Sequence, residues 1–405
     1  MFNPDRHEAL NASEFNPEKI RQCIHDICSF AIENRKSSYL WESQEDENPR
    51  IPLNKTLYFG ASGSILSLAR LSQRHDFKLP WSVADAIENV WKSFDEDPDF
   101  IVEGVLSAGS DDPQLGKATP SYFLGSVGVL LARYVYSSAT REQTQVMLEE
   151  ELRSNLKNPT LEPLWAGSGT VIAACFMWSL TKGEVWKMLI QDHFNFYWAE
   201  LESYASMKVW NQKLYESSFY MTGAGHGFVG NLFPFFKAFD ALDQPSQDLL
   251  LQEGLQTILN TATVNGDKAN WVSDLQKPKP GKDPYLVQWC HGSPGFIVSL
   301  DPLPVGIRPD IDELLVKAGN LVWEAGPLKK KAALCHGTDG NGYAFLKMYR
   351  RTNDSVWLSR ARQFAMHAMS QRSMRSSTWN GDLGLALYLD ACLQEDADFP
   401  FLDWI

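Results

Sequence analysis

An all-α chain wound as an α/α toroid, with seven inner helices inside seven outer ones, is what this sequence predicts. Two observations predict it. Gly-x-x-Gly, or a near match, stands directly before an apolar helical segment at seven places. Between those places lie stretches apolar on one face and charged on the other, so buried helices alternate with half-exposed ones in two layers. No period-two strand run and no dinucleotide-binding glycine fingerprint competes.

In chain order, residues 1–50 carry no glycine motif and read as an N-terminal helical extension, with a helix over 17–34 and a charge-rich loop over 35–52. Residues 51–405 then form one domain of seven repeats. Gly60-Ala61-Ser62-Gly63 opens the first, residues 125–128 the second, and the degenerate Ala166-Gly167-Ser168-Gly169 the third. Residues 227–230 open the fourth, preceded by Gly223-Ala224-Gly225-His226. Gly292-Ser293-Pro294-Gly295 and Gly337-Thr338-Asp339-Gly340 open the fifth and sixth, and Gly381-Asp382-Leu383-Gly384 the seventh. The amphipathic stretches 142–156, 247–259, 311–325 and 356–370 supply the outer layer. Such an arrangement gathers the glycine turns at one end.

Two of the turns carry more than glycine. Trp289-Cys290-His291-Gly292 and Leu334-Cys335-His336-Gly337 repeat one pattern about 45 residues apart. Thiolate and imidazole are the ligands Zn²⁺ prefers, and adjacent glycines let two loops converge on one ion, so the pair reads as two halves of one transition-metal site. The alternative is two reduced, buried structural cysteines. Duplication in the same glycine frame favours the metal.

Composition bounds the partners. Lys plus Arg total 37 against 50 Asp plus Glu, a formal charge of −13, which repels polyanions and argues against nucleic acid. The local exception is Lys329-Lys330-Lys331, four residues before Cys335. Six scattered cysteines suit a reducing compartment. The start has no basic region followed by an apolar stretch, and Phe2 excludes the N-myristoylation motif. Residues 169–180, the most apolar run, are too short to span a bilayer. A soluble, cytoplasmic protein with no membrane span is expected.

The chain resembles the LanC-like proteins, relatives of the lanthionine cyclases that close thioether rings in peptides, and is nearest the eukaryotic-type glutathione-binding branch. The matching residues are Gly223-Ala224-Gly225-His226-Gly227, Trp289-Cys290-His291-Gly292, Leu328-Lys329-Lys330, Leu334-Cys335-His336-Gly337, Asn341-Gly342-Tyr343-Ala344-Phe345-Leu346 and the ending Phe399-Pro400-Phe401. The resemblance implies the double toroid reached above and one zinc per chain, with Cys290, Cys335 and His336 as its ligands. Three ligands leave the fourth position open, as in catalytic zinc sites. His291 then either supports the ligands from behind or faces the substrate, although the sequence alone does not separate the two histidines.

The resemblance further implies that Lys330 contacts glutathione, that an arginine before the seventh motif, Arg372 or Arg375, does so too, and that His226 is an acid/base. Glu162 matches the position of a family carboxylate before the third turn. Glutamate is mostly an exposed residue, so a surface carboxylate is the plain alternative there. The implied reaction is addition of a thiol, that of glutathione, to dehydroalanine or dehydrobutyrine in a peptide or protein. Two departures stand out. The peptide cyclases carry an arginine four residues before the first zinc cysteine, where this chain has Leu286, and the segment Ser376-Ser377-Thr378-Trp379-Asn380 differs near the last turn.

Three functions fit: a glutathione-adding enzyme, a cyclase of a dedicated precursor peptide, and a non-catalytic zinc and glutathione binder that regulates a partner such as a kinase. An α/α-barrel glycoside hydrolase shares the architecture but gives the paired Cys-His turns no purpose.

Overall fold

A computed structural model describes residues 1–11, 13–36, 38–42, 53–100, 119–165, 167–214, 217–276, 278 and 281–405. Most of the charged loop expected over 35–52, and Ala166 of the third motif, lie outside the described residues. The first helices are α1 (Pro17–Glu33), α2 (Ala61–Arg74), α3 (Val83–Glu96), α4 (Ser126–Tyr136), α5 (Arg141–Ser154), α6 (Gly169–Thr181), α7 (Glu184–Ala199) and α8 (Phe228–Lys237). There follow α9 (Gln244–Leu249), α10 (Leu255–Thr261), α11 (Ser293–Leu300), α12 (Pro309–Ala325), α13 (Thr338–Thr352), α14 (Ser355–Ala368) and α15 (Asp382–Gln394). Each of the seven glycine motifs opens a helix: α2, α4, α6, α8, α11, α13 and α15. These helices are buried nearly all round, as expected; every residue of α13 from Thr338 to Met348 is buried.

Four of the glycine turns share one construction. The chain before the helix folds back over its N-terminus, so that the first N–H group, which has no partner inside a helix, donates to the carbonyl seven positions earlier. Ala61 donates to Asn54 (3.0 Å), Phe228 to Met221 (2.9 Å), Thr338 to Lys331 (3.1 Å) and Asp382 to Arg375 (2.8 Å). The wrapping loop passes so near the helix that a side chain has no room. A Cβ on Gly63 would lie 2.2 Å from the Leu57 carbonyl oxygen, and one on Gly230 2.2 Å from that of Ala224. Gly63→Ala is therefore expected to destabilise the fold by about 1–3 kcal/mol, the usual range for overpacking. Chemical denaturation would read this as a lower midpoint at unchanged slope.

The third turn, degenerate in sequence, is also different in structure. Ser168 is already helical in backbone conformation, and Thr170 and Val171 donate locally to Gly167 and Ser168.

The chain packs as two compact units. One comprises residues 1–3, 100–122 and 149–325. Within it α6 packs on α7 and α8, α8 on α11, and α11 on α12. Three short antiparallel hairpins belong to it, β1 (Glu202–Tyr204) with β2 (Met207–Val209), β3 (Gln212–Leu214) with β4 (Ser217–Phe219), and β5 (Ala262–Asn265) with β6 (Lys268–Trp271). Strands of three or four residues are too short to show alternation in the sequence. The other unit comprises residues 4–99, 123–148 and 326–405. There α2 packs on α3 and α15, α3 on α4, and α13 on α14 and α15. The helix expected over 17–34 is α1, whose buried side (Ile20, Cys23, Ile24, Ile27, Cys28, Ala31) lies on α15. No described helix is long and apolar enough to cross a membrane.

Candidate functional site

Three histidines occupy one register. His226, His291 and His336 each stand immediately before the glycine that caps α8, α11 and α13. Cys290 and Cys335 stand one residue earlier still, where the fourth turn has Gly225.

In the first unit the Cys290 turn is tightly braced. Gln288 and His291 exchange backbone hydrogen bonds of 3.1 Å, which fold Trp289 and Cys290 into the loop between them. Gly292 then takes a φ of +103°, with a Cβ position 1.9 Å from the Leu286 carbonyl oxygen, so only glycine fits. The Asn270 side chain locks this bend: its oxygen accepts from the Ser293 N–H (3.0 Å) and its amide donates to the carbonyls of Leu286 and Met1. Gly223 and Gly225 lie flat on the same turn. The Gly225 N–H donates to the Cys290 carbonyl (3.1 Å), and a Cβ on Gly225 would reach 2.7 Å from the Cys290 Cβ. The Gln288 Nε2 group donates to the Cys290 Sγ at 3.0 Å, a bond that favours the thiolate.

His226 and Glu162 form the second feature of this unit. The Glu162 carboxylate is fully buried and is satisfied by three donors: the Leu164 N–H (3.1 Å), the Trp165 N–H and His226 Nδ1 (2.9 Å). With a carboxylate as acceptor, Nδ1 carries the proton. Burial by itself would lower the His226 pKa, but the hydrogen bond and charge of Glu162, with the Cys290 thiolate, outweigh it and leave the value raised above 6.5. The His291 ring lies 5.8 Å from that of His226 at 27°. Its pKa moves the other way, lowered chiefly by burial and further by His226. Its Nδ1 is buried without a hydrogen-bond partner among the described residues. Two adjacent imidazoles pushed in opposite directions are suited to acid and neutral roles.

In the second unit the N–H groups of Leu334 and Cys335 both donate to the carbonyl of Trp379, at 3.1 and 3.3 Å. Trp379 is fully buried, with its ring stacked on Tyr58 (5.3 Å, 12°) and edge-on to Phe123 (5.4 Å). The divergent segment 376–380 is thus the brace of the second cysteine. Cys335 is buried and His336 partly exposed. Lys329 and Lys330 are exposed, whereas Lys331 is buried. Asp382, at the start of α15, accepts from the Ser373 N–H and hydroxyl and from the Met374 N–H (2.8, 2.8 and 2.9 Å), which shapes the loop bearing Arg372 and Arg375, both partly exposed. Asp339, in the first turn of α13, is fully buried, and burial with the charge of Asp382 pushes its pKa well above the usual carboxylate range.

Cys290 in the first unit, and Cys335 and His336 in the second, carry thiol and imidazole donors of the kind that hold a metal ion. All six cysteines are buried and outside any disulfide. The donor chemistry fits zinc: two buried thiols and an imidazole, the ligand types of a three-ligand catalytic site. Sequence reasoning missed Gln288, Asn270 and Trp379. Gln288 and Trp379 flank the motifs without belonging to them, and Asn270 lies 20 or more residues away, so no local pattern marks them.

Residues 51–397 match the family model described as lanthionine synthetase C-like protein. The chain is 32% identical over 166 residues to Glutathione S-transferase LANCL1 from Danio rerio, a match covering 40% of this chain and 38% of that protein. It is 35% identical over 129 residues to LanC-like protein GCL1 from Arabidopsis thaliana, covering 28% of this chain and 30% of that protein. The matched part is thus less than half the length of either relative. Among solved structures, nisin cyclase superposes with a TM-score of 0.62 at 17% identity, over 95% of this chain and 96% of that one. That likeness shows the fold, the helical toroid anticipated from the seven glycine turns.

Proposed function

The chain belongs to the lanthionine synthetase C-like family, and from that premise we propose that it is a zinc-dependent enzyme that adds the thiol of glutathione to dehydroalanine or dehydrobutyrine in peptides or proteins. It works in the cytoplasm, and its product is a thioether. Cys290, Cys335 and His336 would hold the zinc, which when bound would supply the acidity that keeps a substrate thiol ionised at neutral pH. The chain's own groups do the rest. Lys330 and an arginine, Arg372 or Arg375, bind the carboxylates of glutathione, and His291 faces the substrate in neutral form. Sulfur bonds to the β-carbon, the alkene electron pair moves toward the carbonyl as an enolate, and His226 delivers a proton to the α-carbon. Overall an S–H bond adds across C=C and nothing leaves. Glu162 holds Nδ1–H, fixes the ring and favours the proton-loaded form that this step uses.

The observation that carries the reading is the His226–Glu162 pair, a fully buried carboxylate 2.9 Å from an imidazole on a glycine turn beside Cys290 and His291. A group that only capped a helix needs no such partner. The test is to incubate zinc-replete protein with glutathione and a dehydroalanine peptide. Mass spectrometry should find the peptide heavier by one glutathione, and no adduct above the uncatalysed background overturns the proposal. Lys330→Ala should weaken glutathione binding about fivefold in calorimetry, since a partly exposed pair contributes about 1 kcal/mol, and should leave zinc in place.

A further inference from the structure

The N-terminal segment is built into the second unit directly before Lys329 and Lys330. Residues 4–8 lie along residues 326–329: His7 pairs antiparallel with Leu328, the Glu8 N–H donates to the Pro327 carbonyl, and the Lys329 N–H donates to the Arg6 carbonyl, both at 3.0 Å. Gly326 takes a φ of +76°, and a Cβ there would meet the Glu8 carbonyl oxygen at 2.9 Å, so the segment fits closely. Three side chains, Glu8, His367 and Gln371, hold the arrangement. The Gln371 Nε2 group donates both to the Leu328 carbonyl and to Glu8 Oε1, each at 2.7 Å. The same Glu8 oxygen lies 2.8 Å from His367 Nε2, and His367 Nδ1 accepts the Asn11 N–H at 3.0 Å. Lys329 and Lys330 follow Leu328 directly, and Arg372 follows Gln371.

We infer that Glu8 and Gln371 are positioning residues, which fix Leu328 and the start of the 372–375 loop so that Lys330 and the arginine meet the carboxylates of an anionic thiol. This rests on the glutathione reading above. An exposed lysine on a free loop binds an anion weakly, because ordering side chain and backbone costs most of what the contact contributes. A backbone already clamped removes the larger part of that cost. The clamp serves charge recognition alone; it touches no group assigned to metal or proton transfer.

Calorimetry with glutathione and with its dimethyl ester separates this role from a purely structural one. The wild type should prefer glutathione. Gln371→Ala and Glu8→Ala should lose affinity for glutathione by about three- to tenfold while binding the ester as before. Glu8→Gln, whose amide oxygen still accepts both donors, should keep wild-type values. Wild-type glutathione affinity in both alanine variants, or an equal loss for glutathione and ester, overturns the inference. Should Glu8→Ala fail to fold, Gln371→Ala decides alone, because its side chain is only half-buried. A wild type that binds neither ligand overturns the glutathione reading itself, and the inference with it, before any variant is measured.

Discussion

His226→Asn is expected to slow thioether formation by roughly 10² to 10⁴, the usual weight of a positioned acid/base, while zinc content and glutathione affinity stay near wild type. The substitution is mild for the fold. Asparagine still offers an N–H toward Glu162, so the buried carboxylate keeps its third donor and the cost of orphaning it is avoided. What disappears is the transferable proton. Because the His226 pKa is raised above 6.5, the protonated form persists above that pH and is lost as pH climbs through the shifted value. The high-pH limb of turnover should therefore lie above 6.5, and Glu162→Gln should move it down, since Glu162 supplies the main raising contributions. The same sign governs stability: the ion pair's contribution is complete below 6.5 and fades as pH rises through the folded-state value. Turnover and melting temperature measured on one preparation decide the matter. A stable, zinc-replete variant with undiminished turnover eliminates His226 as the acid.

Cys335→Ala and Cys290→Ala should each reduce turnover at neutral pH to the uncatalysed background. Without the metal, a thiol of ordinary pKa near 8.5 is only a few per cent ionised at pH 7, and its addition to the alkene slows accordingly. The residual rate should then climb with pH as the free thiol ionises, a dependence that the wild type lacks over the same range. The fold is expected to hold: Cys335 is tied by its backbone N–H to Trp379 and Cys290 by its carbonyl to Gly225, and Cys290→Ala loses in addition the buried Gln288 Nε2 bond to sulfur, a cost of about 1–3 kcal/mol. A Cys335→Ala protein as active at pH 7 as the wild type would contradict the zinc reading.

Much of this was legible in the sequence because the glycine turns are written residue by residue. The loop that caps each inner helix must pass within contact of the helix backbone, glycine alone permits that, and the following apolar run marks the helix. The register of Cys290, Cys335 and the three histidines follows from the same frame. Glu162 was legible only through resemblance. Its type argues for the surface, and it is buried because Leu164, Trp165 and His226 satisfy it, two of them through backbone N–H groups that carry no sequence signature. Gln288, Asn270 and Trp379 were illegible for a like reason: they act on backbone carbonyls and N–H groups or on a sulfur. The six short strands escaped notice because three or four residues do not establish a period, and the packing of α1 on α15 joins segments more than 300 residues apart.

The metal content of the purified protein, measured beside that of Cys335→Ala and His291→Ala, tests the central claim most directly. About one zinc per chain is expected in the wild type, none in Cys335→Ala, and most of the metal retained in His291→Ala. A wild-type protein purified without chelators and free of zinc, or a Cys335→Ala protein with its full complement, would contradict it.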